Sequence, residues 1–223
     1  MATAPARELK IGTIIDKSFA VIERAMAPSL IFLVSLTLVD GVIAYLTATV
    51  SPLAQLAVTP LRVVIGVFFS YQLLKAMIER TGLRSRGDGD VFLTYFGLAV
   101  LYGLAVALGL ILLVLPALFL ISRWCLAQPL VVARGDGVMR AFGESWQRTS
   151  GNEFPIIVVV LLFVMVPIVI SVVAGVMLPK DNLIGIAIAQ LATSASSLLS
   201  LAMGTALYGI IIGVPTAAAT PAE

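Results

Sequence analysis

Residues 121–155 read ISRWCLAQPLVVARGDGVMRAFGESWQRTSGNEFP, and their polarity changes three times. The stretch opens inside an apolar run that carries Arg123, a charge that is costly in hydrocarbon. It leaves that run at Ala133 and becomes amphipathic from 137 to about 150. Val138, Met139, Phe142 and Trp146 fall on one side of a helix there, with Arg140, Glu144, Gln147 and Arg148 on the other. The chain enters a second apolar run at Phe154, and Gly151-Asn152 is the predicted helix stop between the two. This pattern predicts a span, a helix lying along the membrane edge, and a second span. Phe142 and Trp146 would face the acyl chains, with Trp146 as the anchor.

Apolar runs of this kind fill the chain. Of 223 residues, 60% are hydrophobic and 12% charged, with a mean hydropathy of +1.09. A soluble domain has about 45–50% apolar and about 25% charged residues. A core of this size cannot hide that much apolar surface, so the solvent is lipid. The polar opening MATAPARELK is not followed by a short apolar region with a small-residue cleavage site, and no cleaved signal peptide is expected. A single cysteine, Cys125, rules out an internal disulfide and reads as a small packed hydrophobe beside Trp124. The chain has no histidine. That removes the commonest general base, the commonest metal ligand and every histidine-dependent triad. The net charge of +2 forms no basic patch, so nucleic acid is not expected as a partner.

The expected fold class is all-α: an integral membrane bundle of about six transmembrane helices with two interfacial amphipathic helices. Residues 11–26 form the first interfacial helix, with Ile11, Ile14, Ile15, Phe19, Ile22 and Met26 on one stripe. Thr13 and Asp16 suggest a capping-box start, and Phe19 would face acyl chains. Spans are expected at 27–50, 53–77, 91–113, 117–132, 154–178 and 183–214, with 137–150 as the second interfacial helix and 215–223 as a disordered tail. Residues 91–133 as one helix would reach about 65 Å, twice the bilayer core, so the helix must break. Gly109 and Pro116 are the candidates. Either a hairpin turns near Leu115-Pro116, or one tilted span is followed by a re-entrant half-helix. Residues 79–90 and 179–182 read as polar connections, and Pro167 as a kink. The last span is dense in small and hydroxyl residues, among them Gly185, Ser194, Ser197, Gly204, Thr205 and Gly209. Such residues let helices approach closely, which makes this the helix with most protein neighbours and a possible homo-oligomer surface.

Basic residues orient the bundle. Six spans put both termini, the loop 78–90 and the loop 133–153 on one side, with eleven Lys and Arg; the other side holds only Lys180. The basic side is predicted to be cytoplasmic. A five-span chain would put the three arginines of 133–153 outside, which disfavours it. A weak internal repeat at an offset of 127 relates Ile11, Ile15, Phe19 and Pro28 to Val138, Phe142, Trp146 and Pro155, with Ser18 matching Ser145. Such spacing also arises by coincidence in amphipathic helices; a true repeat would give two copies of like orientation.

Three charges lie well inside spans. From the outer ends, Asp40, Arg62 and Arg123 are roughly 10–15 Å deep, near one level. Unpaired, each would cost about 2.5–3.5 kcal/mol. Two readings stay open. Asp40 and Arg62 form a structural ion pair while Arg123 snorkels or finds carbonyls. Alternatively, one acid cannot neutralise two arginines, and Arg62 and Arg123, with Asp40, Gln190, Ser194 and Ser197, hold an anion from a lipid or solute. Catalysis finds little support: Glu144 and Asp136 have no histidine or cysteine to work with, and Asp88 and Asp90 are too few for a metal site. No phosphate loop, zinc signature or nucleophile elbow occurs. No metal or cofactor is expected.

Arg123-Trp124, Leu126-Ala127, Pro129-Leu130-Val131-Val132, Ala141-Phe142, Ser145-Trp146, Arg148-Thr149 and Gly151-Asn152 resemble the membrane domain attached to some bacterial glycerophosphoryl diester phosphodiesterases. Residues 11–19, IGTIIDKSF, also look like that family's start. The resemblance implies a helical bundle in the bacterial inner membrane. The phosphodiesterase activity in the family's name belongs to a separate soluble barrel with His and Glu residues and a metal. This chain has neither histidine nor room for a barrel. The expectation is a non-enzymatic accessory or scaffold protein in lipid or envelope homeostasis, with lipid bilayer as its surroundings. The alternatives are a carrier or binding protein for an anionic lipid or solute working through Arg62 and Arg123, and, last, an intramembrane enzyme.

Overall fold

A computed structural model describes residues 9–47, 52–83, 90–112, 114–177 and 182–213. The expectations for the chain's opening, for the turn at 49–51, for Asp88 and most of its loop, for most of the turn at 179–182 and for the tail therefore lie outside the described residues. The described elements are all helices: α1 (Ile11–Arg24), α2 (Met26–Thr47), α3 (Pro52–Thr81), α4 (Phe92–Leu112), α5 (Val114–Trp124), α6 (Ala127–Arg134), α7 (Val138–Arg148), α8 (Glu153–Met177) and α9 (Leu183–Ile211).

Proline sets where these helices begin. Pro28, Pro116, Pro129 and Pro155 each occupy the third position of a helix, in α2, α5, α6 and α8. The first turn tolerates proline because its N–H groups have no helical partner. Each ring also denies a hydrogen bond to the carbonyl four residues earlier. The preceding helix ends at or just before that residue in three cases, Arg24, Leu112 and Cys125, and three residues before it in the fourth, Gly151.

Residues 91–133 fold back as a hairpin. Tyr102 packs on Trp124 with ring centroids 6.3 Å apart, and a side chain on Gly109 would begin 3.0 Å from the Cα of Ala117. Both pairs are centred on residue 113. The reversal therefore falls between α4 and α5, and Leu115-Pro116, expected as the turn, lies in the first turn of α5. The expected span 117–132 is also not continuous: it breaks at Cys125-Leu126 into α5 and α6.

Among the described residues, six stretches are long and apolar enough to cross a membrane: Met26–Leu46, Val58–Thr81, Phe92–Gly109, Leu115–Arg134, Glu153–Ala174 and Leu183–Ile211. The protein is a multi-pass, all-α membrane protein. Its surface fits that solvent: α2 buries Ser29, Phe32, Leu36 and Asp40 at spacings of three and four, and exposes Leu30, Ile31, Val34 and Leu38. The core centres on α9, which packs against α1, α2, α3, α6 and α8 and is buried all round from 201 to 208. Within that segment a side chain on Gly204 would begin 2.9 Å from the carbonyl oxygen of Cys125. This is the carbonyl that Pro129 leaves without a helical donor, so the break between α5 and α6 and the small residue in α9 fit each other.

Helices α1 and α7, expected as amphipathic helices in the membrane interface, pack on protein. Helix α1 buries Ile14, Ser18, Val21 and Ala25 against α3, α8 and α9, which leaves Phe19 and Met26 exposed. Its N-cap is Lys10 without a side-chain cap, so Thr13 and Asp16 form no capping box. Helix α7 packs on α4, α5 and α6. Burial follows the repeat: Ile14 and Ala141, Ser18 and Ser145, Ala25 and Asn152, Ser29 and Ile156, Phe32 and Val159, and Leu36 and Phe163 are buried in both copies. In each copy the amphipathic helix and its span dock on the second helix of a hairpin, α7 and α8 on α5, α1 and α2 on α9.

Candidate functional site

Asp40 is the last member of the buried line on α2, with a side chain only 9% exposed. Arg62 of α3 donates from Nε to Asp40 Oδ1 at 2.7 Å and from Nη2 to Gln190 Oε1 of α9 at 3.4 Å. One charge of each sign and a neutral amide thus join three helices. Ser194 lies one turn beyond Gln190 and is fully buried with its hydroxyl unpartnered; Thr37, one turn from Asp40, has the same deficit. Ser197 belongs elsewhere. It donates to the carbonyl of Thr193 at 3.2 Å and lines a separate cavity of about 300 Å³ with Tyr95, Tyr102, Cys125 and Gln128.

Arg123 does not join this group. Its Nη2 meets Glu153 Oε1 at 2.6 Å, its Nη1 donates to the Trp146 carbonyl at 3.2 Å, and its guanidinium lies over the rings of Phe119 and Trp146 at 5.1 and 5.0 Å. The Trp146 carbonyl is near the C-terminus of α7, where the helix dipole favours a cation. Along α8, Glu153 is eighteen residues from Ser171, whose hydroxyl reaches Ala189 beside Gln190 at 3.4 Å. That separates the two clusters by about 27 Å along the helix. The anion-site expectation rested on two arginines sharing one acid at one level. Instead Arg123 has its own carboxylate, near the other end of the bundle, and the Asp40–Arg62–Gln190 cluster carries no surplus charge.

The opening stretch closes into a junction around Arg123. Ser145 donates to the Arg123 carbonyl at 2.7 Å and accepts from the Leu126 N–H at 3.2 Å, bridging the break between α5 and α6. Thr149 donates to the same Arg123 carbonyl at 3.3 Å. Glu153 also accepts from the Gly151 N–H at 3.1 Å, and Gly151 has the positive φ of 84° that the turn requires. Phe142 packs on Trp124 at 4.6 Å and Trp146 on Phe119 at 5.6 Å, so both expected lipid-facing aromatics first meet protein. Phe19 is 48% exposed and touches Phe163 edge-on at 6.4 Å. Arg134 binds Glu144 at 2.6 Å and Asp136 at 3.3 Å, with Arg148 and Arg140 behind them at 3.6 and 3.7 Å. Both carboxylates thereby fasten α6 to α7. Sequence reasoning missed Glu153, Ser145 and Thr149 as partners of Arg123, because it sought partners by depth in the spans rather than at the corner that Pro155 creates.

Residues 99–213 match the family described as the membrane domain of glycerophosphoryl diester phosphodiesterase. The chain belongs to this family. The match takes in the whole junction from Arg123 to Glu153 and both helices of the hairpin α8–α9, while residues 11–19 fall outside it. No curated protein and no solved structure matches the chain.

Proposed function

We propose that the protein is a non-enzymatic component of the bacterial inner membrane, an accessory or scaffold in lipid or envelope homeostasis. One observation carries this reading. The charges within the bundle hold helices together: Asp40 and Arg62 join α2, α3 and α9, and Arg123 and Glu153 join α5, α7 and α8. An anion carrier working through Arg62 and Arg123 together has less support, since each belongs to a different cluster. Self-association through α9 is left with the outer half of that helix, because its own chain encloses 201–208. The basic asymmetry supports a cytoplasmic location for both termini.

The test is complementation. In a strain lacking the gene, the wild type and the variant Asp40→Leu/Arg62→Met should both restore the membrane lipid profile read by mass spectrometry. A variant that is folded and inserted but does not restore it would overturn the reading, because the pair would then act beyond holding helices. Cysteines at Ser85 and Asn182 in a Cys125→Ser background should label from opposite sides of the membrane.

A further inference from the structure

A cleft of about 560 Å³ runs along α1 where that helix lies over the ends of α3 and α9. Its volume falls in the range of about 300–1,000 Å³ usual for small-molecule sites. Lys10, Lys17 and Arg24 line it at seven-residue spacing, so two turns of helix separate each cation from the next and all three point to one side. Thr13 and Ala20 fill the positions between them on the same wall. The facing wall is uncharged: Thr81 and Leu83 at the end of α3, and Thr205, Ala206, Gly209 and Ile210 from α9. Among the described residues no carboxylate lines the cleft; Asp16 and Glu23 are exposed on other faces of α1. Among the described residues none of the three cations makes an ion pair.

Three like charges along one wall repel each other and favour an anion between them. Position selects the kind of anion. The candidate spans end at Thr81 and Ile211, and α2 begins at Met26, so the cleft opens where the bundle meets the membrane edge. Lipid phosphates lie at that level, and phosphate accepts charge-assisted hydrogen bonds from Lys and Arg. We propose that this cleft binds a phosphate-bearing anion through Lys10, Lys17 and Arg24. The accessory role above needs no bound ligand, so the two proposals stand apart. The anion is either the headgroup of an acidic phospholipid or a water-soluble phosphate ester.

The full chain in detergent tests this by native mass spectrometry with phosphatidylglycerol or phosphatidylcholine, and by calorimetry with inorganic phosphate and glycerol 3-phosphate. Retention of phosphatidylglycerol over phosphatidylcholine identifies a lipid headgroup; binding of the soluble phosphates identifies a water-soluble ligand. In either case Lys10→Gln/Lys17→Gln/Arg24→Gln should weaken binding at least tenfold. The charge-matched control Arg80→Gln/Arg140→Gln/Arg148→Gln should change it less than threefold. Ala20→Phe, which fills the cleft without changing charge, should also abolish binding and serves if the triple variant does not fold. Equal losses in the two triple variants would reduce the effect to diffuse surface attraction and overturn the proposal. Absence of binding by all four probes would overturn it as well.

Discussion

Arg62 and Asp40 are 2.7 Å apart, yet they differ sharply in enclosure: the arginine side chain is 42% exposed and the aspartate 9%. Removing one partner should therefore not equal removing the other. Arg62→Met leaves a carboxylate enclosed among α2, α3 and α9 and should cost about 3 kcal/mol. Asp40→Leu leaves an arginine that keeps Gln190 and can snorkel along α3 toward the membrane edge, at about 2 kcal/mol. The double variant should lie near the smaller value, since no charge is then stranded. Unfolding of each variant in mixed micelles measures this. Equal costs for the two single changes would refute the asymmetry.

Two glycines should behave oppositely. A methyl group at Gly204 would lie 2.9 Å from the Cys125 carbonyl oxygen, which is backbone and cannot step aside. Gly204→Ala should destabilise by about 1–3 kcal/mol through overpacking. Gly143 is an exposed position of α7 with nothing within 4 Å, so Gly143→Ala should stabilise by about 0.5–1 kcal/mol. Melting temperatures should bracket the wild type. A gain at both sites would mean that helix propensity alone decides.

Much of this architecture was legible, because composition and periodicity report the solvent. Six apolar stretches and a central last helix follow from them. The position of each break was less legible. Pro116 drew attention to its own position, whereas a proline acts on the carbonyl four residues before it. Applied to Pro129, the same rule would have revealed the break at Cys125. The depth argument brought Asp40 to Arg62, because those helices are joined by a short connection. It misassigned Arg123, because depth along α5 does not show that α7 and α8 fold over its end. Glu153 was readable as an acid in the first turn of a span, but its distance from Arg123 depends on that tertiary corner.

Outside the spans, Asp90 should give the bundle a measurable pH dependence. It accepts from the Phe92 N–H at 2.9 Å, capping α4, and from the Tyr71 hydroxyl at 3.1 Å. The first bond, then the second, holds its carboxyl below the ordinary value of 3.8, with Lys75 adding to the effect. A lowered value in the folded state means that the unfolded chain binds the proton more tightly. The stabilisation is thus complete above about pH 5 and is lost as pH falls through 3.8 and below. Wild-type melting temperature should drop more steeply than that of Asp90→Asn over this window. Parallel curves would remove Asp90 from the account.

Arg123 separates a structural from a ligand-binding role for the junction. Its side chain is 11% exposed, with Glu153 at 2.6 Å and two aromatic faces about 5 Å away. Arg123→Gln removes a charge-assisted bond of about 1.5–3 kcal/mol and ring stacking of about 0.5–2 kcal/mol. Glu153 keeps the Gly151 N–H and is 26% exposed, so part of the loss is recovered, and a net cost of about 2 kcal/mol is expected. Arg123→Lys should lie between, since a lysine keeps the charge but neither the planar fork nor the stacking. Because Glu153 already neutralises Arg123, neither change should alter the retention of phosphatidylglycerol seen by native mass spectrometry. Unchanged stability together with lost phosphatidylglycerol in Arg123→Gln would reverse the assignment and make the junction a headgroup site.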